Sequence, residues 1–190
     1  KKAVQSGKFP GFLVYPQSVT HREAKLMIAR ILFELPIDIN RIYVHGLSNG
    51  GGDTWKFLLA NPTLVAAAFP MSASDDGAKT QTLLYTPLRQ AQGGLDTNPV
   101  PGWTQTIVDW FNTNGGHLEY FYMPTTGHGT WDTQYNRTDF FPWFLSHKKN
   151  EIMVRYDRNL LCPGAPISVD MGFTPGFDAY EWRKDGVVIP

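Results

Sequence analysis

The chain has 190 residues, 42% hydrophobic and 14% aromatic, enough for one sizeable core or for one domain and part of another. Its 17 basic and 17 acidic side chains cancel, which leaves no basic face for nucleic acid. No apolar run approaches the roughly 20 residues that span a bilayer, and the single cysteine excludes an internal disulfide framework or a cysteine-rich zinc site.

Residues 11–15 form a continuous apolar run ended by Pro16, the pattern of a strand buried on both faces of a parallel sheet. Thr20 can cap a helix through about Leu35, with Leu26, Ile28, Ala29, Ile31, Leu32 and Leu35 at helical spacing and Pro36 as its stop. A second strand covers 42–45, and a helix follows over 53–60, where Trp55, Leu58 and Leu59 share one face. Residues 64–69 make a third strand and 83–92 a fourth, interrupted by Pro87. Helix 103–111 ends at Asn114-Gly115-Gly116, residues that accept a left-handed backbone. A fifth strand covers 117–122, and a last helix covers 138–147 with Pro142 near its first turn. Strands alternating with helices predict an α/β fold with a mostly parallel sheet.

Composition changes at the polar junction Lys148-Lys149-Asn150-Glu151, which divides the chain into domains 1–149 and 150–190. Beyond it no helical pattern appears. Residues 167–170 and 180–183 alternate, and Asp185-Gly186 is a hairpin turn signal. This tail is all-β and too short for a complete sandwich.

Gly46-Leu47-Ser48-Asn49-Gly50 fits G-x-S-x-G between a strand and a helix. A sharp reversal there strains the serine backbone and lifts its hydroxyl clear of the sheet. It also aims the N–H of Asn49 and the helix N-terminus at a developing oxyanion. A phosphate loop is the other use of so many glycines. It fails here because no G-x-x-x-x-G-K-[ST] is present and Gly50-Gly51-Gly52 leads into the negative charge of Asp53. Ser48 needs a base, and the base needs an orienting acid. In this chain order the acid comes first and the histidine second, each after a strand. Asp96 follows the fourth strand and His128 the fifth. The competing acids, Asp75 and Asp76, read as a solvated loop. Among the competing bases, His45 packs on the sheet and His117 starts a strand. His147 ends a helix, where a cation is favoured, and His21 lies in a first helical turn. The five histidines show no metal-ligand spacing, and neither metal nor cofactor is implied.

The stretches "PIDINRIYVHGLSNGG", "QGGLDTNP" and "TGHGTW" resemble the α/β-hydrolase superfamily over about residues 9–147. They are similar to secreted bacterial esterases of the polyhydroxybutyrate depolymerase and feruloyl-esterase type, and equally to prolyl-oligopeptidase and phospholipase/carboxylesterase-like hydrolases. The resemblance implies Ser48 as nucleophile, His128 as general base and then acid, Asp96 as orienter and the Asn49 N–H as one oxyanion donor. Trp131 and Trp103, on loops beside the site, can stack on a sugar or aromatic acyl group or simply pack those loops. The tail from Leu161 onward resembles the first half of an immunoglobulin-like or PKD-like domain, with Trp182 as core tryptophan. That resemblance implies a lost partner for Cys162, which could equally be a free buried thiol, and an extracellular parent.

Three functions follow as expectations. The first is a secreted carboxylic-ester hydrolase acting on polysaccharide or aromatic acyl esters. The second is a serine peptidase of prolyl-oligopeptidase type. The third is an adhesion or carbohydrate-binding protein with a decayed hydrolase domain, against which the intact triad argues. The resemblance also implies that earlier strands and a second oxyanion donor are lacking, since the chain starts just before what matches the family's fourth strand, at residues 11–15. A gap is then expected between strand 11–15 and strand 42–45. Loss of one oxyanion donor costs roughly 10²–10³ in turnover. The 190-residue chain alone is therefore expected to be weakly active or unstable beside a longer parent chain, checked by ester hydrolysis and thermal melting of both.

Overall fold

The computed structural model describes residues 6–7, 9–17, 19–84, 86–116, 118–149, 152–156, 169–173, 181–184 and 187–189. The chain divides into two compact units, 1–149 and 150–190.

The first unit is built on a four-stranded parallel sheet in the order β1 (Tyr43–Leu47), β2 (Ala67–Met71), β3 (Leu88–Gly93) and β4 (Leu118–Met123). Ahead of the sheet lies α1 (His21–Glu34), opened by a capping box in which Thr20 and Glu23 satisfy each other's backbone N–H. Parallel neighbours need crossovers. Helix α2 (Asn49–Ala60) connects β1 to β2 and α3 (Pro101–Thr113) connects β3 to β4. After the sheet come two short helices, α4 (Trp131–Tyr135) and α5 (Phe140–Ser146). None of the described helices is long and apolar enough to cross a membrane.

Strand β2 is buried along its whole length, and its alternation feeds two cores. Ala68 faces Trp55, Leu58, Ile107 and Phe111 of α2 and α3. Ala67, Phe69 and Met71 face Phe140 and Phe144 of α5. On the second face Arg89 of β3, 5% exposed, lies opposite Glu119 of β4 and bonds it at 2.7 Å. It also bonds Asp139 at 2.8 Å and lies over the Trp143 ring. Arg137 clasps the same Asp139 with two bonds of 2.9 Å. The ionic cluster fastens the start of α5 to the sheet.

Several expectations are corrected. Residues 11–15 join none of the sheets among the described residues, and Phe12, Val14 and Tyr15 are exposed. A strand needs a neighbour, and here a cleft of about 790 Å³ intervenes between this segment and β1, roofed by Ile28, Ile31 and Leu32 of α1. Residues 83–84 and 86–87 are not strand: 81–83 form a 3-10 turn and β3 begins only after Pro87. Helix α2 starts at Asn49, four residues earlier than expected, and takes the three glycines into its first turn. His147 does not favour a charge, because burial pushes its pKa down. His117 lies outside the described residues.

The second unit contains two antiparallel pairs, β5 (Ile152–Tyr156) with β6 (Val169–Phe173), and β7 (Trp182–Lys184) with β8 (Val187–Ile189). The β7–β8 register sets Trp182 opposite Ile189 and Lys184 opposite Val187. Cys162 and the turn residues themselves lie outside the described residues.

Hydrogen bonding to Arg137, and then to Arg89, holds the Asp139 carboxyl down to about 2, against an ordinary 3.8. A depressed folded-state pKa contributes stability above the unfolded value and loses it as pH falls through the folded one. An Asp139→Asn variant is expected to melt below the wild type at neutral pH. The difference should shrink between about pH 4 and pH 2, checked by thermal melts across that window.

Candidate active site

Ser48 stands at φ 54 and ψ −122, a backbone that non-glycine residues rarely adopt. Its N–H donates to the Met71 carbonyl at 2.9 Å, and its own carbonyl accepts from Gly52 at 3.0 Å. The reversal brings Gly46 onto the backbone of Gly50, so closely that a Cβ at 46 would overlap the Gly50 carbonyl. Gly50, the second glycine of the motif, has open space where a Cβ would stand. The glycine that packs is Gly51, whose missing Cβ leaves room for the Met71 carbonyl and the Ala73 methyl, each 2.7 Å from that position. The motif's two glycines are thus physically unequal, and the close packing on the helix side of the turn belongs to Gly51.

The Ser48 hydroxyl lies 2.7 Å from His128 Nε2, and His128 Nδ1 lies 2.8 Å from Asp96 Oδ2. Three distant parts of the sequence meet at the C-terminal ends of parallel strands, the place where such sheets carry their sites. Asp96 is 5% exposed. Its Oδ1 accepts from the Asn98 N–H at 2.9 Å and its Oδ2 accepts from the Gln92 amide at 3.2 Å. Both oxygens therefore act as acceptors. That places the proton of the neutral imidazole on Nδ1 and leaves Nε2 as acceptor for the Ser48 O–H.

Asp75 and Asp76 bond elsewhere than to His128. Asp75 accepts from the Gly77 N–H and Asp76 pairs with Lys79. His45 packs among Tyr135, Phe140 and Phe144, and burial pushes its pKa down to about 4, so it is a neutral core histidine. Asn49 is the exposed first residue of α2, where backbone N–H groups lack intrahelical partners. Trp131 is not on a loop: it opens α4, half-buried, with its ring edge-on to His128 at 5.7 Å. Trp103, in the first turn of α3, is 57% exposed and borders a small pocket with Ser74 and Asp76.

Sequence reasoning missed Gln92. It is fully buried on β3, takes a bond from Thr104 Oγ1 at 2.9 Å on its oxygen, and shares its two amide protons among Asp96, Gly93 and Pro99. A polar residue at the end of an otherwise buried strand, four positions before an acid, is the only signal it left.

No family model matches the chain, and no curated protein matches it. Solved structures do. A thermostable esterase aligns at 26% identity and a TM-score of 0.62, over 66% of this chain and 36% of its own. A single-substitution form of SOBER1 from Arabidopsis thaliana aligns at 17% and 0.53, over 66% and 61%. The esterase PE8 aligns at 14% and 0.51, over 66% and 57%. The chain thus spans less than two thirds of each of these proteins. The likeness establishes an α/β-hydrolase-like fold for the sheet and its helices.

The unequal glycines give a direct expectation. Gly46→Ala should cost the fold several degrees of melting temperature or abolish soluble protein, whereas Gly50→Ala should melt at or above the wild type. Thermal unfolding of both variants checks it.

Proposed function

We propose that the chain carries the catalytic part of a serine hydrolase that cleaves carboxylic esters. The observation that carries this reading is the continuous bonding from Ser48 Oγ through His128 to the buried Asp96 carboxylate. The likeness to a thermostable esterase supports an ester as the substrate.

In the first half-reaction His128 Nε2 takes the Ser48 proton as Oγ bonds to the ester carbonyl carbon. Negative charge moves to the carbonyl oxygen. The Asn49 N–H and the α2 N-terminus face that charge, while Asp96 stabilises the imidazolium. Collapse of the adduct expels the alcohol, which receives its proton from Nε2 and leaves an acyl group on Ser48. Water then repeats the sequence, with His128 accepting its proton, and releases the acid. His128 suits both roles because its side chain is 38% exposed while that of Asp96 is 1% exposed. The base can reach solvent and the orienter cannot.

The exposed face of Trp103 is where a sugar or aromatic group of the substrate would stack. Trp131 serves mainly to wall His128. The resemblance of the tail to immunoglobulin-like domains of secreted proteins motivates an extracellular setting.

A fluorophosphonate probe should add to Ser48, read by peptide mass spectrometry. Ser48→Ala should lose the label and at least about 10⁴-fold in turnover of short-chain nitrophenyl esters. A label on another residue, or a Ser48→Ala variant of wild-type activity, overturns the assignment.

A further inference from the structure

His128 lies on an irregular loop between Gly127 and Gly129. Neither glycine is crowded: a Cβ at 127 would meet nothing within 4 Å, and one at 129 only the Trp131 ring at 3.8 Å. Glycine on both sides widens the range of backbone conformations open to the base. Yet its ring must hold two bonds at once, to Asp96 and to Ser48. Something must fix the main chain.

The fixing group is Ser72. It follows β2, is 1% exposed and stands at φ 48. A glycine would adopt that backbone without strain; serine adds a hydroxyl. That hydroxyl lies 2.6 Å from the His128 carbonyl and 2.7 Å from the Thr130 hydroxyl. A carbonyl only accepts, so the single Ser72 proton goes to His128. Thr130, which is fully buried, must then donate to Ser72. The Thr130 N–H also reaches the His128 carbonyl at 2.9 Å. Both lone pairs of that carbonyl are occupied by buried donors. One residue earlier, the Met71 carbonyl accepts the Ser48 N–H. Nucleophile and base are therefore referenced to two consecutive residues of one strand end.

We propose that Ser72, seconded by Thr130, is a positioning residue that sets His128 at proton-transfer distance from Ser48. The proposal rests on the Ser48–His128–Asp96 assignment. Ser72 touches no substrate and acts through the main chain of the base.

The test uses the full-length protein with Ser72→Gly, Ser72→Ala, Thr130→Val, Thr130→Ser and Ser48→Ala. Active sites are titrated with a fluorophosphonate, so kcat refers to competent enzyme. Ser72→Gly relieves the strained backbone and loses two buried hydrogen bonds, effects of similar size, so it should still fold. Its kcat on nitrophenyl butyrate should fall roughly 10- to 100-fold with KM unchanged, because a displacement of about 1 Å costs on that order. The rate of fluorophosphonate labelling should fall in parallel. Thr130→Val should show a smaller loss of the same kind, and Thr130→Ser, which keeps the hydroxyl, should restore turnover. A kcat per titrated site within twofold of wild type in both Ser72→Gly and Thr130→Val overturns the proposal while Ser48→Ala is inactive. An active Ser48→Ala overturns the triad, and the role of Ser72 falls with it.

Discussion

The backbone of Ser48 is held in a conformation that costs on the order of 1–3 kcal/mol, and the site exists only because the surroundings over-determine it. The grip comes from α2. Gly46 takes the Gly50 carbonyl against its bare Cα, Gly51 lies on Met71, and Thr54 ties its hydroxyl back to the Gly50 carbonyl at 2.8 Å. Beyond the turn, α2 buries Trp55, Phe57 and Leu58. Such side chains contribute about 1.5–3 kcal/mol each when fully buried. Their sum exceeds the strain at the serine, so the helix anchors the turn. A weaker helix would let the serine relax into an ordinary cap and lose its reach toward His128.

The acid presents the opposite problem, since a buried carboxylate costs several kcal/mol unless donors surround it. Asp96 is satisfied by Asn98 from its own turn, by Gln92 from the strand and by His128 from the neighbouring loop after β4. Gln92 cannot turn its amide over. Thr104 donates to its oxygen, and three acceptors (Gly93, Asp96 and Pro99) face its nitrogen. One side chain thereby joins the end of β3, the acid-bearing turn and the first turn of α3. The close approach of Gly93 to the Gly127 carbonyl brings the acid loop against the base loop.

What was legible in the sequence is what is local. A strand, glycines and a serine announced the turn at Ser48 because turn geometry depends on adjacent residues. Order along the chain then singled out Asp96 and His128 from their competitors. The strand expected at 11–15 failed because an apolar run becomes a strand only beside a partner, and the pattern carries no information about the neighbour. Trp131 read as a loop because a five-residue helix shows too little periodicity to register. Ser72 was invisible within "MSASDD", which reads as a polar connection. Its burial comes from strands on either side, and its N–H is taken by the Ala91 carbonyl of β3.

The strand order explains why a residue at the end of β2 is needed at all. Ser48 follows β1 and His128 follows β4, three strand spacings or about 14 Å apart. Five residues, 124–128, can extend at most about 17 Å. The loop must therefore lean across the sheet, and it does so in steps. At β3 the Gly94 and Leu95 N–H groups bond the carbonyls of Met123 and Thr126, at 2.8 and 2.9 Å. At β2 Ser72 takes the His128 carbonyl. Only the imidazole then remains to bridge to β1. Residues at the ends of β3 and β2 hold the main chain on a path that a free loop between two glycines would follow only a small fraction of the time. That is why His128 can sit between two glycines and still be fixed in space.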